Sequence, residues 1–360
     1  MPAILLNPGP VTLSQGVRAA MLNPDLCHRE PEFAELQHAI REKLLQVYEL
    51  GGTHWAVGLL TGSGTAAVEA MISSLVPENG KLLSIENGVY GERISRIAEH
   101  YRIPLAVANF AWTEAIDCEQ VSRQLSEDRT ITHVAAIHHE TTTGRLNELA
   151  KLLKICEEHK VELLLDAVSS FGAEEIPFGH ERLTACAATA NKCLHGVPGT
   201  AFVITRRAAL TRAQPRSHYL DLGAYIKHQD NDGPPFTQSV QTFYALNAAL
   251  DELLESGGQG NRLALYQHRM KKVRDALEAM KIEALLPLSA CSAVLHAYNL
   301  PSNLTYTALH DQLKEAGFVI YAGQGEFAKN LFRISMMGEI TERDIERLIA
   351  AFGQAFDKLS

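Results

Sequence analysis

Three short stretches of this 360-residue chain carry residue types that could do chemistry together. In TANKCLHGVPG, residues 189 to 199, Lys192 stands between a small-residue run and a turn built from two glycines and a proline. A lysine so placed is a surface charge beside a loop or a partly buried amine. Burial or a neighbouring cation favours the neutral amine, which condenses with an aldehyde to a Schiff base. In VELLLDAVSSFG, residues 161 to 172, Asp166 closes an apolar run. Its carboxylate either caps the segment that follows or pairs with a cation, because an unpaired charge at the end of a buried strand is costly. In GLLTGSGTAAVEAMISSL, residues 58 to 75, Thr61-Gly62-Ser63-Gly64-Thr65 leads into an Ala-rich segment that favours helix. Backbone N–H groups at a helix start, unobstructed beside glycine and joined by hydroxyls, cradle a phosphate. Such turns are common, and this one is neither a P-loop nor a GxGxxG fingerprint.

The elements that position these residues alternate apolar runs with amphipathic helical patterns, which predicts an α/β fold with a mainly parallel sheet between helices. KLLSIENG, ITHVAAIHHE, VELLLDAVSS and TAFVITRR each read as a buried strand. Ligands of open α/β sheets lie beyond the carboxyl ends of the strands, so Asp166 and Lys192 can share one edge. Phe33, Leu36, Ile40, Leu44 and Val47 recur at helical spacing, as do Tyr266, Met270, Val273, Leu277 and Met280. After LDELLESGGQG, residues 250 to 260, the runs shorten to SAVLHAYNLP, FVIYAG and NLFRISMMG. A last helix opens at Thr341 with Asp344 three residues on, close to a capping box. The expected organisation is a large domain over residues 16–260, with residues 1–15 and 261–360 forming a smaller α+β domain.

With 46% hydrophobic and 21% charged residues the chain can bury a large core. A net charge of -9 argues against general binding to nucleic acid or an anionic membrane. The start MPAILLNPGP has no basic region and places prolines in its apolar part, so neither a secretory signal nor a membrane span is expected. Cys27, Cys118, Cys156, Cys186, Cys193 and Cys291 show no CxxC pair, which suits reduced packing residues of a cytoplasmic protein and no metal site.

A phosphate cradle, a carboxylate for a pyridinium and a lysine for an aldehyde together are what pyridoxal 5'-phosphate demands. The chain also resembles a known family. LNPGPVT, LLTGSGTAAVEA, ENGVYGER, HHETTTGRLN, LLDAVSSFG, TANKCLHGVPG, YLDLGAY, FVIYAG and LFRISMMG are similar, in order and over nearly the whole length, to motifs of the class V aminotransferases. These are fold-type I pyridoxal-phosphate enzymes, and within the class the resemblance is to the aminoethylphosphonate–pyruvate transaminases. It implies that Lys192 forms the Schiff base and Asp166 partners the pyridine nitrogen. Tyr90 stacks on the ring, Val168 lies beneath its other face, and Thr141 sits near the ring oxygen. Ser63, Gly64, Thr65 and Asn191 contact the phosphate. Thr237 reaches the phosphate of a neighbouring subunit, which implies a homodimer with shared active sites.

The resemblance further implies an aminophosphonate and a keto acid as substrates, with Arg333 gripping their acid group; the alternative for Arg333 is a structural ion pair. LCHREPEF, residues 26 to 33, resembles a His-Arg loop of phosphoserine transaminases, so His28 and Arg29 either add charge for a phosphonate or lie in a solvated loop. The chain departs from the phosphonate transaminases at Ser239, where they carry proline, at Gln324, where they carry lysine, and at Ser335 to Gly338, SMMG for GNIG. Each departure falls on the substrate side, which keeps a second reaction open: an ammonia-lyase acting on a hydroxylated aminoethylphosphonate. A noncatalytic α/β ligand-binding protein is the alternative of another class.

Overall fold

Seven strands form the central sheet of the computed structural model, which describes residues 3–359. The expected small unit begins and ends on residues 1, 2 and 360, which lie outside the described residues. In chain order the strands are β1 (Trp55–Gly62), β2 (Lys81–Glu86), β3 (Leu105–Asn109), β4 (Ile131–Ile137), β5 (Glu162–Asp166), β6 (Leu183–Thr189) and β7 (Gly199–Arg206). Their spatial order is β1-β7-β6-β5-β4-β2-β3. Neighbours from β6 across to β3 are parallel, while β7 runs antiparallel to both β6 and β1. Two antiparallel steps return β1 to the common direction. The carboxyl ends of β1, β2, β4, β5 and β6 therefore meet at one edge of the sheet.

The four strands read from sequence are present, and their continuous apolar runs have a simple cause: helices cover both faces of the sheet. One face packs Leu59, Leu83, Leu163, Leu165 and Phe202 against the helix Pro31–Gln46 and its neighbours. The other packs Leu60, Leu82, Leu164 and Val203 against Gly64–Leu75 and Val89–His100. Phe33, Ile40 and Leu44 are buried as the helical spacing requires, while Val47 caps the end of that helix. The edge strand β3 carries no clear signal, because LAVAN is short and only Ala108 is fully buried.

A second core gathers Tyr266, Met270, Val273 and Leu277 of the helix Gly258–Ala279 with Ile4, Leu6 and Val11 of the amino-terminal segment. Gly257 and Gly258 take positive φ, 95° and 72°, and let the chain turn from the helix Val240–Glu255 into this one. A three-stranded antiparallel sheet sets Leu331–Ser335 between Leu295–Asn299 and Tyr321–Ala322. FVIYAG is not one strand: Phe318–Val319 pairs with Ile4–Leu5, and Tyr321–Ala322 turns to the other sheet. Thr341 and Asp344 form the anticipated reciprocal cap, with backbone N to side-chain oxygen distances of 3.0 and 3.2 Å.

Candidate active site

Asp166 is the last residue of β5 and is held between Ile137 of β4 and Ala187 of β6 by the register of the sheet. Its carboxylate accepts a hydrogen bond from the Val168 backbone N–H at 2.9 Å. Burial pushes its pKa up to about 6, against the pull of that N–H and of the Arg93 and Lys192 charges. A carboxyl so raised becomes a stable anion once a cation is placed beside it. Lys192 follows β6, and its amine donates to the Pro8 carbonyl. Burial lowers its pKa to about 8; the Arg333 and Arg93 charges add to the fall, while Cys193 and Asp166 oppose it. The amino-terminal segment can approach because Gly9 has φ 111° and no side chain, and a Cβ there would lie 2.8 Å from Lys192 Cδ. Of the two positions open to it, the lysine takes the partly buried one.

Beside this pair the end of β1 turns into the helix Gly64–Leu75. Ser63 caps the helix by position but not by side chain, so its hydroxyl is left for a ligand. Gly64 packs so closely that a Cβ would sit 2.8 and 2.9 Å from the two methyls of Val168. Ser63, Thr65, Tyr90, Asp166, Asn191 and Lys192 face one cleft of about 180 Å³. The cradle, the aspartate and the lysine, separated by up to 129 residues, are thus brought together.

Two residues in this cleft or beside it had motifs but no roles in the sequence. Arg93 lies with its guanidinium 4.7 Å above the Tyr90 ring and donates to Thr65 Oγ1 at 3.1 Å. Its place one turn after Tyr90 on an amphipathic helix was the available signal. Glu140, fully buried, accepts from the Tyr90 backbone N–H at 3.1 Å and from the Thr142 hydroxyl at 2.6 Å. Next to it the Thr141 hydroxyl is buried without a partner among the described residues, while the Thr141 carbonyl accepts from Arg333 Nη1 at 2.8 Å. Arg333 is wholly buried in the middle strand of the small sheet, and its other bonds go to the Ala322 carbonyl at 2.8 Å and the Gln324 side-chain oxygen at 3.1 Å.

Three expected contacts lie elsewhere. Thr237 is exposed and outside the cleft of its own chain, with its hydroxyl 3.5 Å from His28 Nε2. Arg29 is exposed and faces a separate groove with Glu35 and His38. Of the departures, Ser239 donates its backbone N–H to Thr61 Oγ1 at 2.9 Å, a bond that proline could not make. Met336 and Met337 are buried in the second core. Gln324 alone meets Arg333.

Residues 27–348 match the family Aminotransferase class-V. The chain belongs to the class V aminotransferases. It is 37% identical over 359 residues to a 2-aminoethylphosphonate–pyruvate transaminase of Vibrio cholerae, covering 98% of this chain and 97% of that one. A Bacillus cereus protein of the same name is 33% identical, over 96% of each chain. Among solved structures, an aspartate aminotransferase of subgroup IV from Thermus thermophilus superposes with a TM-score of 0.90 at 26% identity, covering 99% of this chain and all of that one. This aminotransferase is a pyridoxal-phosphate enzyme of fold type I, and the noncatalytic alternative falls away. The chemistry of its donor set fits that cofactor: a glycine-opened cradle, a raised carboxyl, a depressed amine and a buried hydroxyl without a partner.

Proposed function

We propose that this aminotransferase moves the amino group of 2-aminoethylphosphonate to pyruvate, leaving phosphonoacetaldehyde and alanine. The observation that carries the choice of acidic substrates is Arg333. Its guanidinium makes no ion pair among the described residues, and Nη2 is buried without any hydrogen-bond partner. Burial pushes its pKa below the ordinary arginine value. A buried cation short of counter-charge is satisfied when an anion arrives. A guanidinium fork suits both a phosphonate and a carboxylate, so one clamp serves donor and acceptor in turn. The named transaminases of Vibrio cholerae and Bacillus cereus support the same pair of substrates.

The cofactor supplies an electron-withdrawing ring that stabilises negative charge on the substrate carbon bearing nitrogen. In our reading Lys192 would hold the cofactor through its aldehyde carbon, and its Nζ, with a pKa lowered to about 8, would take the proton from the substrate carbon bearing nitrogen. Asp166 would keep the ring nitrogen protonated, Tyr90 and Val168 would flank the ring, Thr141 Oγ1 would serve its oxygen, and Ser63, Gly64, Thr65 and Asn191 would hold the phosphate. The test is product analysis. Alanine should appear in step with phosphonoacetaldehyde and only when pyruvate is present; free ammonia from a hydroxylated donor without pyruvate would replace this reading with the lyase. Arg333→Ala should raise KM for aminoethylphosphonate by the equivalent of about 2–5 kcal/mol, with little change for a neutral amine of similar size. Equal losses on both amines would make Arg333 structural.

We further read the enzyme as a homodimer, in which Thr237, whose hydroxyl lies 3.5 Å from His28 Nε2 in the fold, reaches the partner's phosphate. The exposure of Thr237 away from its own cleft supports this. Cofactor affinity should then fall when the protein is diluted to monomers, and a monomer that holds cofactor tightly would refute it. The large unit over 16–260 and the small one over 1–15 and 261–360 would meet at the cleft. No helix among the described residues is long and apolar enough to cross a membrane. The six unpaired cysteines support a cytoplasmic location.

A further inference from the structure

Glu140 is a carboxyl at the site for which the reaction has no use, and among the described residues it forms no ion pair. Its oxygens instead accept from the Tyr90 N–H at 3.1 Å, the Thr142 N–H at 3.0 Å and the Thr142 hydroxyl at 2.6 Å. Tyr90 is the second residue of the helix Val89–His100, whose cap, Gly88, has no side chain to offer the free N–H groups. Glu140 supplies that cap from 50 residues away. Burial pushes its pKa up to about 7, against the pull of the Thr142 and Tyr90 hydrogen bonds, and in its ionised form it also meets the positive end of the helix dipole. Gly88 belongs to the same device, since a Cβ there would overlap the Glu140 carboxyl.

The helix held in this way carries Tyr90 and, one turn on, Arg93, which reaches Thr65 in the phosphate loop. The turn that begins at Glu140 also leads to the acid clamp. Gly144 N–H returns to the Glu140 carbonyl at 2.9 Å, and between them the Thr141 carbonyl holds Arg333 Nη1. One buried side chain thus ties the residue over the cofactor ring to the turn that anchors the substrate arginine.

We propose that Glu140 is a positioning residue of the transamination site, setting the height of Tyr90 over the cofactor and, through the turn at Thr141, the seat of Arg333. The proposal rests on the stacking role given to Tyr90. Glu140→Gln keeps the volume but sets an NH2 group against backbone N–H donors. Relative to wild type, cofactor affinity by equilibrium dialysis should fall about tenfold, as expected for one lost charge-assisted bond. The visible circular dichroism of the bound cofactor should change, and KM for the aminophosphonate should rise more than kcat falls. In a Tyr90→Leu background the same substitution should cost little further affinity, because contacts that act through one another are not additive. Gly88→Ala, which crowds the carboxyl from the helix side, should reproduce the affinity and dichroism changes and decides the matter if Glu140→Gln does not fold. A Glu140→Gln protein with a lower melting temperature but unchanged affinity and dichroism would overturn the proposal. So would full additivity with Tyr90→Leu. Normal cofactor binding by Tyr90→Leu alone would remove the stacking role and the proposal with it.

Discussion

Lys192→Ala is expected to lose turnover by at least about a thousandfold, the range associated with removing a positioned general base, and the nucleophile goes with it. The visible absorption that depends on a bond between lysine and the cofactor aldehyde should vanish. Cofactor should still bind, because Ser63, Gly64, Thr65 and Asn191 lie on other parts of the cleft wall and are untouched. Folding should survive as well: the lysine stem packs on Gly9 and, among the described residues, the amine bonds only the Pro8 carbonyl, so the change opens a small space in the cleft. Stopped-flow spectra with aminoethylphosphonate, beside equilibrium dialysis of the cofactor, separate chemistry from binding. Near-normal turnover in this variant would end the present reading of the site. Loss of cofactor binding together with turnover would instead mean that the lysine is needed to shape the cleft.

Asp166→Asn should be nearly as damaging and isolates charge from shape. The amide oxygen can still accept from the Val168 N–H, so the local turn after β5 should persist. What disappears, in the proposed role, is the anion opposite the ring nitrogen. A neutral pyridine is a poor electron sink, so kcat should fall by about a hundredfold or more, the size of effect expected for losing a charge-assisted partner of a buried ion. The pH dependence gives a second check. In the cofactor-free protein burial holds the Asp166 pKa up to about 6. A protonated ring nitrogen selects the ionised carboxyl, so cofactor affinity should weaken as pH falls through 6, approaching tenfold per pH unit below it. Above pH 6 this contribution is complete. Asn has no proton to exchange, so the difference between the wild-type and variant profiles should contain that step. Parallel profiles from pH 5 to 8 would show that Asp166 does not pair with the ring.

The strand runs, the helix stripes and the placement of Asp166, Lys192 and the Thr61–Thr65 turn at strand ends were readable from the chain because each depends on neighbours within a few positions. An apolar run ending in a polar or small residue is a strand edge, and in a parallel sheet those edges converge. The Thr341 and Asp344 cap was readable for the same reason. Motif order added the cofactor class.

Only the tertiary structure decided how the site is supported. Pro8 meets Lys192 across 184 positions, Thr141 meets Arg333 across 192, and Glu140 caps a helix 50 positions upstream. Nothing in the stretch HHETTTG says that its carboxyl is buried, or that glycine at 88 leaves room for it. The lack of an ion-pair partner for Arg333 among the described residues is likewise a property of everything packed around it. Hydrophobic period and turn chemistry are local and survive in one dimension. Hydrogen-bond satisfaction and desolvation depend on which distant groups the fold brings within about 3 Å, and that choice belongs to the packed chain.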